Sequence, residues 1–135
     1  MDRDVLLVVE DSEAAYQQVH EAALRLGLGT EWALNGAEAL RLSRLHRYRA
    51  IVLDLYLPLL DGISFLRIRR SENDGARVPV LVISATAQDE EIQRAMGLGA
   101  AAFVQKPLDV DRLAGVLGDL LQRAMIPPPT TSSSR

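Results

Sequence analysis

Ala50-Ile51-Val52-Leu53-Asp54-Leu55 is the stretch that decides the fold. An unbroken aliphatic run of this length, with no polar side to turn to water, suits a strand buried on both faces inside a parallel sheet. Asp54 then places a carboxylate where burial without a partner is costly. The strand and its anion have to be explained together.

Runs of the same kind recur at residues 5–9, 80–83 and 101–104, and a more polar one at 30–34 carries Glu31, which marks an edge strand. Between them the apolar spacing turns helical. Ala14, Ala15, Val19, Ala22, Ala23 and Leu26 line one face, with Gly27 placed to end it. Asn35 and Glu38 form a capping box ahead of Ala39, Leu40, Leu42 and Leu45. Asp61-Gly62 opens a third helix through Phe65, Leu66 and Ile68, and residues 87–96 form a weaker fourth, stopped by Gly97 and Gly99. Asp109 caps a fifth whose stripe is Leu113, Val116, Leu117, Leu120 and Leu121. Five strand–helix units with right-handed crossovers predict an open, doubly wound α/β sheet over residues 1–125. Residues 126–135, rich in Pro, Ser and Thr, have nothing to bury and read as a flexible tail or linker stub.

Bulk composition narrows the function classes. At 135 residues and 48% hydrophobic content the chain can bury one full core. A net charge of −3 supplies no basic surplus for nucleic-acid phosphates, so no direct nucleic-acid binding is expected. The absence of cysteine excludes disulfides, thiol catalysis and cysteine zinc sites. No apolar run approaches the roughly twenty residues of a membrane helix, and no signal peptide precedes the first strand, so the expectation is a cytoplasmic domain without membrane contact.

Ligands of open α/β sheets bind beyond the carboxyl ends of the strands. Glu10 and Asp11 follow the first strand, Asp54 ends the third, Ser84 follows the fourth and Lys106 the fifth. Singly, each has an ordinary structural reading: Glu10-Asp11-Ser12 can cap a helix, Ser84 can be a turn residue and Lys106 a solvated charge. Jointly they put three carboxylates, a hydroxyl and an ammonium at one mouth. The lysine carries extra weight, because of the fifteen Lys and Arg residues only Lys106 is lysine. Lysine is a compact point charge, whereas arginine is a wide planar fork. Clustered carboxylates call for a cation, and an all-oxygen site at a cleft edge suits Mg²⁺. Lys106 and Ser84 could then take phosphoryl oxygens, leaving Asp54 presented for attack on phosphorus.

In this order and spacing, Glu10-Asp11, Asp54 with the following Leu55-Tyr56-Leu57-Pro58-Leu59-Leu60-Asp61-Gly62, Ser84-Ala85 and Lys106-Pro107 resemble the receiver domain of two-component response regulators, from Val5 to about Ala124. The resemblance implies strand order 2-1-3-4-5 and a phosphoacceptor role for Asp54, with a sensor histidine kinase or histidine phosphotransfer protein as donor. It implies Mg²⁺ held by Glu10, Asp11, Asp54 and the backbone carbonyl of Tyr56, and phosphoryl oxygens held by Ser84 and Lys106. Small Ala85 would leave the phosphoryl group room to approach. It further implies a switch through Ser84 and Phe103, a cis bond before Pro107, and signalling to a protein target through residues 89–122, from Asp89 to Gln122, as a monomer or weak homodimer. Glu10, Ser84, Phe103 and Leu108 depart from the residues commonest in the family, and Tyr56 and Thr86 flank the site where they would tune phosphoryl lifetime.

Three rivals stand beside that reading. A Mg²⁺-dependent phosphatase of the haloacid-dehalogenase type would want an acidic residue two positions past its nucleophile, where this chain has Tyr56. A flavodoxin-like module would want a hydroxyl- and glycine-rich loop where Glu10-Asp11 stands. A degenerate receiver would serve as an interaction scaffold only. His20, His46 and Trp32 read as packing or surface residues, and Arg41, Arg44, Arg47 and Arg49 as a solvated helix face.

Overall fold

A computed structural model describes residues 4–72, 78–85 and 88–125. Thr86, Ala87 and the 126–135 tail, all of which figured in the sequence reading, lie outside the described residues. The strands are β1 (Val5–Val9), β2 (Gly29–Ala33), β3 (Ala50–Asp54), β4 (Val80–Ser84) and β5 (Ala102–Gln105). They alternate with α1 (Glu13–Arg25), α2 (Gly36–Leu45), α3 (Gly62–Arg70), α4 (Asp89–Gly97) and α5 (Val110–Met125). All pairings are parallel and the order is β2-β1-β3-β4-β5. This is the flavodoxin-like receiver architecture, with β2 on the edge as Glu31 foretold.

The two-residue period of the strands divides the core in two. Leu6 and Val8, Ala50 and Val52, Leu81 and Ile83 face α1 and α5, where they meet Val19, Ala22, Leu113 and Leu117. Leu7 and Val9, Ile51 and Leu53, Val80 and Val82 face the other way, among Ala39, Leu42, Phe65, Leu66 and Ala95. The central strands are therefore apolar throughout because both faces are covered. Each aliphatic side chain fully buried this way contributes about 1.5–3 kcal/mol.

Local boundaries follow from side-chain caps. Ser12 Oγ accepts the Ala15 N–H at the start of α1, Asp61 Oδ1 accepts Ser64 N–H at α3, and Asp109 Oδ1 accepts the Asp111 N–H at α5. At α2, Asn35 Oδ1 accepts the Glu38 N–H, but the Glu38 carboxylate reaches past the cap to the N–H of Leu34. Gly97 belongs to α4 rather than ending it; Gly99, at φ +107, makes the left-handed stop. Gly62 has a different task. A Cβ there would lie 2.7 Å from the carbonyl oxygen of Asp54, so only glycine lets α3 start against the end of β3. Among the described residues, no helix is long and apolar enough to cross a membrane.

Candidate metal and phosphoryl site

The turn after β1 is held from several sides. Glu10 N–H donates to Ala33 O at 3.0 Å, which carries the β1–β2 pairing one residue past the strand. Its carboxylate is fully buried, and Oε2 accepts the Ser12 N–H at 3.1 Å. Ser12 caps α1 at the same time, so the capping expected of this turn is made by Ser12, while the Glu10 carboxylate is turned inward. Asp11, between them, is exposed at the mouth.

Asp54 closes β3 and is 4% exposed. Its Oδ1 accepts the Tyr56 N–H at 3.0 Å, and its Oδ2 accepts from Lys106 Nζ at 2.9 Å. The lysine backbone is fixed in turn, its N–H donating to Ser84 O at 2.8 Å, next to a cis Lys106–Pro107 bond. Lys106 Nζ also lies 2.7 Å from Glu10 Oε1, yet without hydrogen-bond geometry, so that buried oxygen has no directed donor. Ser84 is buried at the end of β4, and Phe103, opposite Val82, is half-buried against the α2–α3 side of the core.

Charge follows geometry. Burial pushes the Glu10 carboxyl up to about 7; the adjacent Lys106 ammonium pulls it down and the charge of Asp54 pushes it up again. Desolvation works against the Lys106 ammonium, but its pairing with the Glu10 and Asp54 carboxylates outweighs this and raises its pKa above the ordinary value. Glu10, Asp11 and Asp54 each bring one oxygen within 4.8 Å of the others. Three carboxylates against one ammonium leave an excess of negative charge. An all-oxygen set, open on one side and including a buried oxygen that lacks a directed donor, fits Mg²⁺.

Residues 6–117 match the response regulator receiver domain family, and the chain belongs to that family of two-component signalling domains. The response regulator MprA of Mycobacterium sp. (strain KMS) is 36% identical over 120 residues, which cover 87% of this chain and 50% of MprA. The chain spans about half the length of the curated relatives it matches. Among solved structures, the receiver domain of the Francisella response regulator 1452 is 32% identical with a TM-score of 0.79, over 88% of this chain and 97% of that one. The receiver domain of the sensor histidine kinase PA1611 from Pseudomonas aeruginosa, described with a magnesium ion coordinated in its active site cleft, is 27% identical with a TM-score of 0.79, over 90% of this chain and 99% of that one.

Of the residues expected at the rim, the fold brings together the side chains of Glu10, Asp11, Asp54 and Lys106, and sets Ser84 at the end of β4 beside them through its backbone carbonyl. Two contacts were not foreseen. Tyr56, half exposed, donates its hydroxyl to Glu91 in the first turn of α4. That acceptor and the carboxylate's charge raise the phenol's pKa, so the hydroxyl stays protonated. Trp32, expected only to pack, donates Nε1–H to the backbone carbonyl of Glu10 at 2.6 Å. The arginines of the expected helix face also divide: Arg44 pairs with Glu72, and Arg49, beyond α2, pairs with Asp4.

Proposed function

We propose that this chain is a phosphoacceptor, phosphorylated on Asp54 by a phosphohistidine of a sensor kinase or phosphotransfer protein. A carboxylate oxygen of Asp54 bonds to phosphorus, the P–N bond of the phosphohistidine breaks, and the imidazole leaves with the electron pair. Glu10, Asp11, Asp54 and the Tyr56 carbonyl would hold Mg²⁺, which when bound neutralises charge on the phosphoryl oxygens. The observation that carries the reading is the double pairing of Lys106. Its ammonium is shared between Glu10 and Asp54, so turning the Asp54 carboxylate into an acyl phosphate replaces one of its anions with a more highly charged one. Lys106 then follows the phosphoryl group, Ser84 donates to another of its oxygens, and Phe103 packs further inward. The face from Asp89 to Gln122 carries the signal to a protein target. The phosphatase alternative loses support from Tyr56, whose phenol is held protonated and committed to Glu91.

Incubation with Mg²⁺ and acetyl phosphate, followed by intact mass spectrometry, tests the assignment. One phosphoryl group is expected on the wild type, and none after EDTA treatment or in Asp54→Asn. A chain that takes up no phosphoryl group from acetyl phosphate or from a partner kinase is a scaffold instead.

A further inference from the structure

Trp32 is the chain's single tryptophan, and it sits on the edge strand with its indole N–H 2.6 Å from the carbonyl oxygen of Glu10. That carbonyl belongs to the peptide plane joining Glu10 to Asp11. Rotating this plane changes where Asp11 leaves the strand relative to the buried Glu10. The ladder bond from the Glu10 N–H to Ala33 holds the preceding peptide plane, and the donor on the carbonyl side is the Trp32 indole.

The indole is itself locked. It stacks on Tyr16 of α1, centroids 4.4 Å apart and planes within 6° of parallel. The Tyr16 hydroxyl lies 2.7 Å from Thr30 Oγ1, two residues before Trp32 on the same face of β2. His20, one helical turn after Tyr16, lies 2.7 Å from that same oxygen and stacks on the Tyr16 ring. α1 and β2 thus form a clamp whose last member is a hydrogen bond to the acidic turn.

We propose that Trp32 is a positioning residue, which orients the Glu10–Asp11 peptide so that both carboxylates meet one divalent cation. It touches neither the metal nor the phosphoryl group; it acts on ligands through their shared backbone, as outer partners of metal ligands do. The inference rests on the metal reading given above.

Trp32→Phe keeps a ring on Tyr16 and removes only the donor. Calorimetric titration with MgCl₂ is expected to show about tenfold weaker binding in this variant, with the metal-free Tm within a few degrees of wild type. A single tryptophan also yields a single indole ¹⁵N–¹H resonance, expected to be protected from exchange and to shift as Mg²⁺ saturates the wild type. Unchanged Mg²⁺ affinity in Trp32→Phe, or an indole signal indifferent to Mg²⁺, overturns the proposal while leaving the metal site standing. Wild-type protein that binds no Mg²⁺ overturns both.

Discussion

Two groups of ion pairs in this molecule are built from the same chemistry and do opposite things. At the rim, Lys106 is paired with Glu10 and Asp54, the lysine side chain 20% exposed and the Glu10 side chain fully buried. At the C-terminal end of α1, Arg25 bridges Glu21 and Asp111 of α5, with the arginine side chain 46% exposed and both carboxylates more so. Exposed pairs gain little, because water and salt screen them and ordering two long side chains costs entropy. The buried group is held at a cost, visible in the Glu10 carboxyl, which burial raises to about 7. A fold does not retain such a cluster for stability. Burial, rather than the number of charges, distinguishes a site from a decorated surface.

The largest effect that separates the two groups is Asp54→Asn, which removes phosphoryl uptake while the Arg25 network is untouched. Next comes Glu10→Gln. A carboxyl whose pKa rises from 4.5 to about 7 on folding favours the folded state below pH 4.5, and this contribution is lost as pH climbs towards 7. Without metal, wild-type stability should therefore fall between these values, and Glu10→Gln should flatten the profile and gain on the order of 2 kcal/mol above pH 7. With MgCl₂ the slope should reverse, since the cation displaces the Glu10 proton and binds more tightly as pH rises to about 7. Thermal melts against pH, with and without Mg²⁺, measure both. The smallest effect is Arg25→Ala, for which a Tm within about a degree or two of wild type is expected at physiological salt. A larger loss would mean that the exposed network matters more than its solvation allows.

Much of this was legible in the sequence because the relevant signals are local. The unbroken aliphatic runs suited strands covered on both faces, as the structure has them, and Asp54 at the end of one pointed to the candidate edge. The exact strand order was not local; it came with the family resemblance. The Trp32 contact was hidden for a different reason. Its partner is a backbone carbonyl across the sheet, and a carbonyl leaves no mark in residue identity. The available signal was geometric: Thr30 and Trp32 share a strand face, Tyr16 and His20 a helix face, and all four have polar tips. Tyr56 and Glu91 meet only because α4 starts beside the β3–α3 loop, a placement no spacing along the chain encodes.

On the reading proposed here, the lone lysine meets the phosphoryl group once Asp54 is phosphorylated. Because Lys106 is the only lysine, selective ¹⁵Nζ labelling gives one side-chain ammonium signal without assignment. That signal is expected to shift when acetyl phosphate and Mg²⁺ phosphorylate the wild type, and to stay in place in Asp54→Asn under the same conditions. An ammonium resonance that ignores a phosphoryl group shown by mass to be on the protein would contradict the account.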